Sequence, residues 1–170
     1  MKLTNMVIVM EEVNRLYHQG YIEKINPSPL KSQLSLKEAR IWLKEAQLNC
    51  SSGGYRSSRI ACYMAFFHAA RSVLLRDGYQ EDKPEYLALY LQKYYREGLL
   101  EEEWTDLLQW MLNLHHQDLY HFQAFPSPEE ADEAIEQGTD FVERISILLD
   151  ETNYAKKAFL KQNAVQRAYL

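Results

Sequence analysis

The chain has 170 residues, 46% hydrophobic and 25% charged, which is the length and composition of one globular domain rather than a disordered segment. A formal net charge of −5 and a pI near 5.6 argue against a protein that wraps duplex nucleic acid, although a local basic patch is still compatible. No apolar run could span a bilayer, residues 1–10 are too short and too soon acidic for a signal peptide, and two cysteines outside any CxxC pattern read as buried thiols. The chain is therefore expected in the cytoplasm, away from membranes.

The spacing of Val9, Val13, Leu16 and Tyr17 predicts a first helix over Val7 to Gln19, ended by Gly20. Asn26-Pro27-Ser28-Pro29 interrupts it. A second helix starts either at Ser28, with Pro29 in the first position, or at Ser35, where Ser35-Leu36-Lys37-Glu38 reads as a capping box. Its apolar face is Ala39, Trp42, Leu43, Ala46 and Cys50, and Ser51-Ser52-Gly53-Gly54 breaks it. The third helix, Tyr55 to Asp77, has one stripe of Ile60, Tyr63, Met64, Phe67, Leu74 and Leu75 and another of Cys62, Phe66, Ala69, Ala70 and Val73. A helix apolar around most of its circumference belongs in the middle of a bundle.

Pro84 opens a fourth helix with Tyr86, Leu87, Tyr90, Leu91 and Tyr94 inward, ending at Glu97-Gly98. The acidic run Glu101-Glu102-Glu103 favours the start of a fifth, which continues to about Phe122. Ser127-Pro128-Glu129-Glu130 caps the last helix, lined by Ala134, Phe141, Ile145, Leu148 and Leu149, with Gly138 as its weak spot. Short links favour antiparallel neighbours. The expected fold is all-α, an antiparallel up-down bundle of four to five main helices over residues 1–150 with no sheet, followed by a polar helical tail over 151–170.

Chemistry-bearing side chains concentrate near the end of the fifth helix, where His115, His116 and His121 fall within seven positions. His116 and Tyr120 are i,i+4 neighbours, and His115 and Asp118 are i,i+3 neighbours. An imidazole beside a phenol can act as general acid or base near neutral pH; the plainer reading is polar filling at a helix end. His115, Asp118 and His121 fan around the helix without Cys support or an HExxH pattern, so no metal and no cofactor is expected. Arg56, Arg59, His68 and Arg71 on the third helix form a second polar supply, in which His68 reads as a hydrogen-bonded core histidine.

Three segments, in order, resemble the HEPN superfamily, small helical domains commonly encoded beside a minimal nucleotidyltransferase. They are Gly20-Tyr21-Ile22-Glu23-Lys24-Ile25-Asn26-Pro27-Ser28-Pro29, then Ala61 to Leu75 with Asp77-Gly78, and then Leu114-His115-His116-Gln117-Asp118-Leu119-Tyr120 with the proline loop and last helix after it. The resemblance covers about residues 7 to 150. It implies homodimerisation with a cleft at the dimer interface and, in catalytic members, metal-independent RNA cleavage by an Arg and a His a few residues apart. Several members are toxins restrained by the nucleotidyltransferase, in some cases by modification of a nearby Tyr; others bind nucleotides or assist the partner.

The signature of the most similar subgroup reads approximately Leu-Arg-His-x-x-Leu-Tyr. His116 falls on its His, Tyr120 on its Tyr, and His115 stands where it carries Arg. That Arg would clamp the scissile phosphate as a fixed planar cation, a role His115 fills poorly, so Arg59, Arg71 or an Arg from the other protomer is a candidate substitute and His121 a further ligand contact. The resemblance thus implies a component of a two-component, toxin–antitoxin-like system that acts on or binds RNA or nucleotides. If it is a ribonuclease, His116 would be the general acid/base, His115 the electrostatic group, and Tyr120 would position the phosphate. The alternative is a non-catalytic nucleotide-binding or scaffolding partner of the nucleotidyltransferase.

Overall fold

The computed structural model describes residues 11, 13–121 and 125–168, with side chains described as far as Thr152. A first helical segment, α1 (13–18), buries Val13 and Leu16; residues 7–10 of the expected helix lie outside the described part. The main helices are α2 (Pro29–Ser51), α3 (Tyr55–Asp77), α4 (Tyr86–Arg96), α5 (Glu102–Tyr120) and α6 (Pro128–Ala168). Of the two possible starts for α2, the chain uses Ser28, whose Oγ accepts from the Lys31 backbone N–H at 3.2 Å with Pro29 in the first turn. Ser35 is buried further along, and its hydroxyl donates to the His68 carbonyl at 2.8 Å. At α6 the capping box forms in both directions: Glu130 N–H donates to Ser127 Oγ at 3.2 Å, and Ser127 N–H donates to Glu130 Oε2 at 2.7 Å. The segment after Asp150 continues α6 to Ala168, while Tyr169 lies outside the described residues.

The middle position expected for the third helix is the one it takes: α3 packs against α2, α4, α5 and α6. Ala39 and Ala46 of α2 and Ala61, Ala65, Ala69 and Ala70 of α3 are buried, so the α2–α3 hairpin closes tightly. Phe66 of α3 stacks on Phe141 of α6 with ring centroids 4.6 Å apart. A Cβ on Gly138 would stand 3.1 Å from Leu43 Cδ2 and 3.4 Å from Phe66 Cε2. That glycine therefore marks a close approach of α6 to Leu43 of α2 and Phe66 of α3, and is not merely a weak turn.

Two expectations need correction. The fold carries a small sheet: β1 (Ile22–Lys24) and β2 (Tyr79–Glu81) pair antiparallel, with Ile22 opposite Glu81 and Lys24 opposite Tyr79. Pro27 and Pro29 keep the approach to α2 extended, and Gly78 turns the chain out of α3 beside it. Three-residue strands are too short to leave a period in the sequence. Cys50 is not buried; it is half-exposed, with Sγ 3.2 Å from Asp132 Oδ1, while Cys62 is enclosed and burial pushes its thiol up to about 12.

Asp77 sits at the C-terminal end of α3, where the helix dipole disfavours a carboxylate. It is held by other means. Tyr90 OH donates to its Oδ2 at 2.7 Å, Tyr94 OH donates to the same oxygen, Lys93 Nζ lies 3.4 Å away, and Arg76 Nε donates to Oδ1 at 3.1 Å. Burial works against the carboxylate, yet Lys93, Arg76 and the two hydroxyls outweigh it and hold the group below its ordinary range. Much of the tyrosine on α4 is thereby explained as a tether to α3.

Gly78 fixes the sheet to the hairpin. It adopts φ +88°, and a Cβ there would meet Ile25 O at 2.9 Å and Pro27 Cγ at 2.8 Å. Ile25 N–H donates to the Gly78 carbonyl at 2.9 Å, and Ser28 N–H donates to Leu75 O at 2.9 Å. Left-handed strain and a backbone clash act together, so Gly78→Ala is expected to destabilise the fold by about 2 kcal/mol or more in urea unfolding.

Candidate functional site

On α5 the inward positions Leu108, Met111, His115 and Asp118 follow 3–4–3 spacing, so the core stripe runs on into an imidazole and a carboxylate. On α3 the matching positions are Phe66, Tyr63 and Arg59. Arg59 Nε donates to Asp118 Oδ2 at 2.8 Å, and Nη2 bonds the other carboxylate oxygen. The side chains are 8% and 1% exposed, so this is a buried bidentate pair, with Glu130 of α6 3.8 Å from Nη1 at its outer edge. One turn along α3, Tyr63 lies flat against His115 with ring centroids 3.5 Å apart and planes within 6°.

This stack forms the floor of a cleft of about 460 Å³. Pro84 and Glu85, before α4, make one wall; Gln109 and Asn113 stand on the α5 side, and His116 and Tyr120 form the rim. His116 and Tyr120 are exposed, with ring centroids 4.8 Å apart at 49°. His121 closes α5 with its ring 6.4 Å from that of His116, but it does not line the cleft.

The electrostatics follow from burial. His115 is held below the ordinary imidazole range chiefly by burial, with His116 adding to the effect and Asp118 opposing it. Its Nδ1 is enclosed without a hydrogen-bond partner among the described residues. Tyr63 is pushed up to about 12 by burial and by the nearby Glu85 and Glu81 carboxylates, so the phenol stays neutral.

The structure brings His115, His116 and Tyr120 to one cleft and places the two arginines elsewhere. Arg59 lies behind the floor, committed to Asp118. Arg71 lies 3.1 Å from Glu81 and over the Phe67 ring, and it lines a different cavity with His68 and Glu38. Tyr63, Glu85, Gln109 and Asn113 line the cleft and Asp118 stands behind its floor; the sequence reading assigned none of these to the site. The signal for Asp118 was present, because a carboxylate on a core stripe needs a buried counter-charge. Among the described residues no three His, Cys, Asp or Glu side chains stand together as a metal-binding group, and no helix is long and apolar enough to cross a membrane.

A helical bundle with a histidine-bearing cleft between two antiparallel core helices is the class of protein defined so far. The model of the HEPN domain family matches residues 32–148, from the first turn of α2 through most of the bundled part of α6. The chain belongs to the HEPN domain family. No curated protein sequence matches it.

Two expected outcomes follow. Asp118→Ala leaves a guanidinium buried without its carboxylate and should cost about 3–5 kcal/mol by chemical denaturation, whereas the apolar pair Arg59→Met/Asp118→Leu should recover most of that loss. Folding lowers the affinity of His115 and His68 for protons, each mainly by burial. The unfolded chain therefore binds more protons as pH falls through 6.5, and stability present above that pH declines below it. His115→Gln should flatten the decline of unfolding free energy as pH falls below about 6.5, by the share of one group.

Proposed function

We propose that this chain is the nucleotide- or RNA-binding HEPN subunit of a pair formed with a nucleotidyltransferase, and that its cleft holds a base rather than cutting a phosphodiester. The observation that carries this reading is the Tyr63–His115 stack. Where the signature has Arg, a ring held toward its neutral form lies flat on a buried phenol. Such a ring supplies little charge to a phosphate in a cleavage transition state, and Arg59 and Arg71 are occupied by carboxylates. The cleft instead offers the Gln109 and Asn113 carboxamides, the Glu85 carboxylate and the aromatic rim of His116 and Tyr120. Carboxamides and carboxylates hydrogen-bond base edges, and aromatic rings stack on base faces. The nucleotidyltransferase partner rests on the family resemblance.

A second reading is favoured by one observation, the exposed His116 beside the Tyr120 ring. These two could serve a metal-independent ribonuclease as general acid/base and phosphate-positioning group. One set of experiments separates the readings: calorimetric titration with mononucleotides and short single-stranded RNAs, and RNA cleavage in excess EDTA, each with His116→Ala and Tyr120→Ala. We expect binding that weakens about tenfold in Tyr120→Ala, through loss of a stacking surface, and no cleavage that depends on His116. Cleavage in EDTA that disappears in folded His116→Ala would replace the binding reading with the ribonuclease. Absence of both binding and cleavage would sink the two together.

A further inference from the structure

Along α5 the cleft is lined by one stripe, Gln109, Asn113, His116 and Tyr120, at 4–3–4 spacing. Two carboxamides and then two aromatic rings follow one another on a single face, and all four side chains are exposed. From the wall before α4, Glu85 brings the one carboxylate among the described residues that line the cleft, and no lysine or arginine is among them. Glu85 stands at the N-cap of α4, where acidic side chains commonly accept from the first backbone N–H groups, yet it makes no capping bond. Nor does it form an ion pair with another described residue. Its charge is felt at the cleft floor, where it helps push the Tyr63 phenol up. The start of α4 thus leaves both oxygens of this carboxylate to the cleft.

We infer that the base this cleft selects is guanine, read by Glu85 along its N1–H and N2-amino edge and by the Gln109 and Asn113 carboxamides at O6 and N7. The inference rests on the base-binding reading proposed above and deepens it. A carboxylate only accepts, through two oxygens side by side, so it matches an edge that carries two adjacent donors. Guanine alone among the four RNA bases has such an edge, in N1–H beside the N2 amino group. Adenine and cytosine set their amino group beside a ring-nitrogen lone pair, which the second oxygen repels. Uracil flanks its single N–H with two carbonyls, which repel it as well. The acceptors that remain on guanine, O6 and N7, need donors, and carboxamide NH2 groups supply them. The rings of His116 and Tyr120 offer the purine a face to stack on.

The cleft volume of about 460 Å³ lies within the range of small-molecule sites. The same lining determines what is not read. A wall with a carboxylate and no cationic fork gives a phosphate nothing to gain, so affinity resides in the nucleoside. That nucleoside is supplied equally by a free guanine nucleoside or nucleotide and by an unpaired guanosine in single-stranded RNA.

Calorimetric titration of the full chain with GMP, IMP, AMP, CMP, UMP and guanosine reads the selection. GMP should bind about tenfold or more tightly than AMP, CMP or UMP, the discrimination expected of one bidentate pair. IMP, which keeps N1–H and O6 but lacks the N2 amino group, should bind less tightly than GMP, and guanosine as tightly as GMP. Glu85→Gln, with an unchanged helical circular dichroism spectrum, sets an amide donor against the guanine donors and should bring GMP down to the level of AMP. The pentamers UUGUU and UUAUU separate the two sources. A preference for UUGUU with affinity above that of GMP assigns single-stranded RNA; the same preference without that gain assigns the free nucleoside or nucleotide. Equal affinity for all four mononucleotides, as recognition of the shared ribose by Glu85 gives, would overturn the inference and leave nucleotide binding in place. A GMP preference that survives Glu85→Gln would overturn it too. Binding of none of these ligands would remove the base-binding reading beneath it.

Discussion

A guanidinium and a carboxylate buried between two helices tolerate very few relative positions of those helices. Arg59 and Asp118 impose that restriction on α3 and α5. Slide one helix along the other by a turn and both groups are left charged, enclosed and unpaired, at several kcal/mol each. The register that keeps them together also sets the next pair of residues in contact, Tyr63 four positions later on α3 and His115 three positions earlier on α5, as an antiparallel arrangement requires. The cleft floor is thus a consequence of the ion pair behind it. Its rim follows too, since His116 and Tyr120 are carried outward on the same turns of α5.

The same economy of charge runs along the whole of α3. Arg59 is met by Asp118 of α5, Arg71 by Glu81 of β2 and Arg76 by the adjacent Asp77, so three arginines on the central helix are each answered by a carboxylate. The helix that might have made the cleft cationic instead spends its positive charge on holding neighbours in place. Charge neutrality in the interior and the lack of a lysine or arginine among the described residues that line the cleft are therefore one fact seen from two sides. The electrostatic character of the site was decided by how the bundle is held together.

Much of this was readable in the chain. Apolar spacing gave the central helix its boundaries and its place, and Ser127 and Glu130 announced the start of α6 three residues apart. What failed to show was pairing at a distance. Arg59 and Asp118 lie 59 positions apart, and each looks locally like a polar residue near a helix end. Only the continuation of the Leu108–Met111 stripe into Asp118 hinted that the carboxylate was inside. The strands Ile22–Lys24 and Tyr79–Glu81 escaped for a related reason: each is meaningful only beside the other. Ser28 and Ser35 were equally good caps by pattern, and burial of Ser35 against the His68 carbonyl decided between them.

The short sheet has a consequence for the order in which the molecule assembles. Its two strands bracket the whole α2–α3 hairpin, so pairing them from an open chain would mean closing a long loop for the return of very few hydrogen bonds. Once the hairpin has formed, its own geometry delivers the two strands to each other, and the closure entropy has already been met by helix packing. The clasp is then a late, inexpensive step that reports on an intact hairpin. Everything it needs lies within the first 81 residues, so this half of the bundle can take shape before α5 and α6 have emerged from the ribosome. The enclosed arginine of α3 must wait for its carboxylate until then.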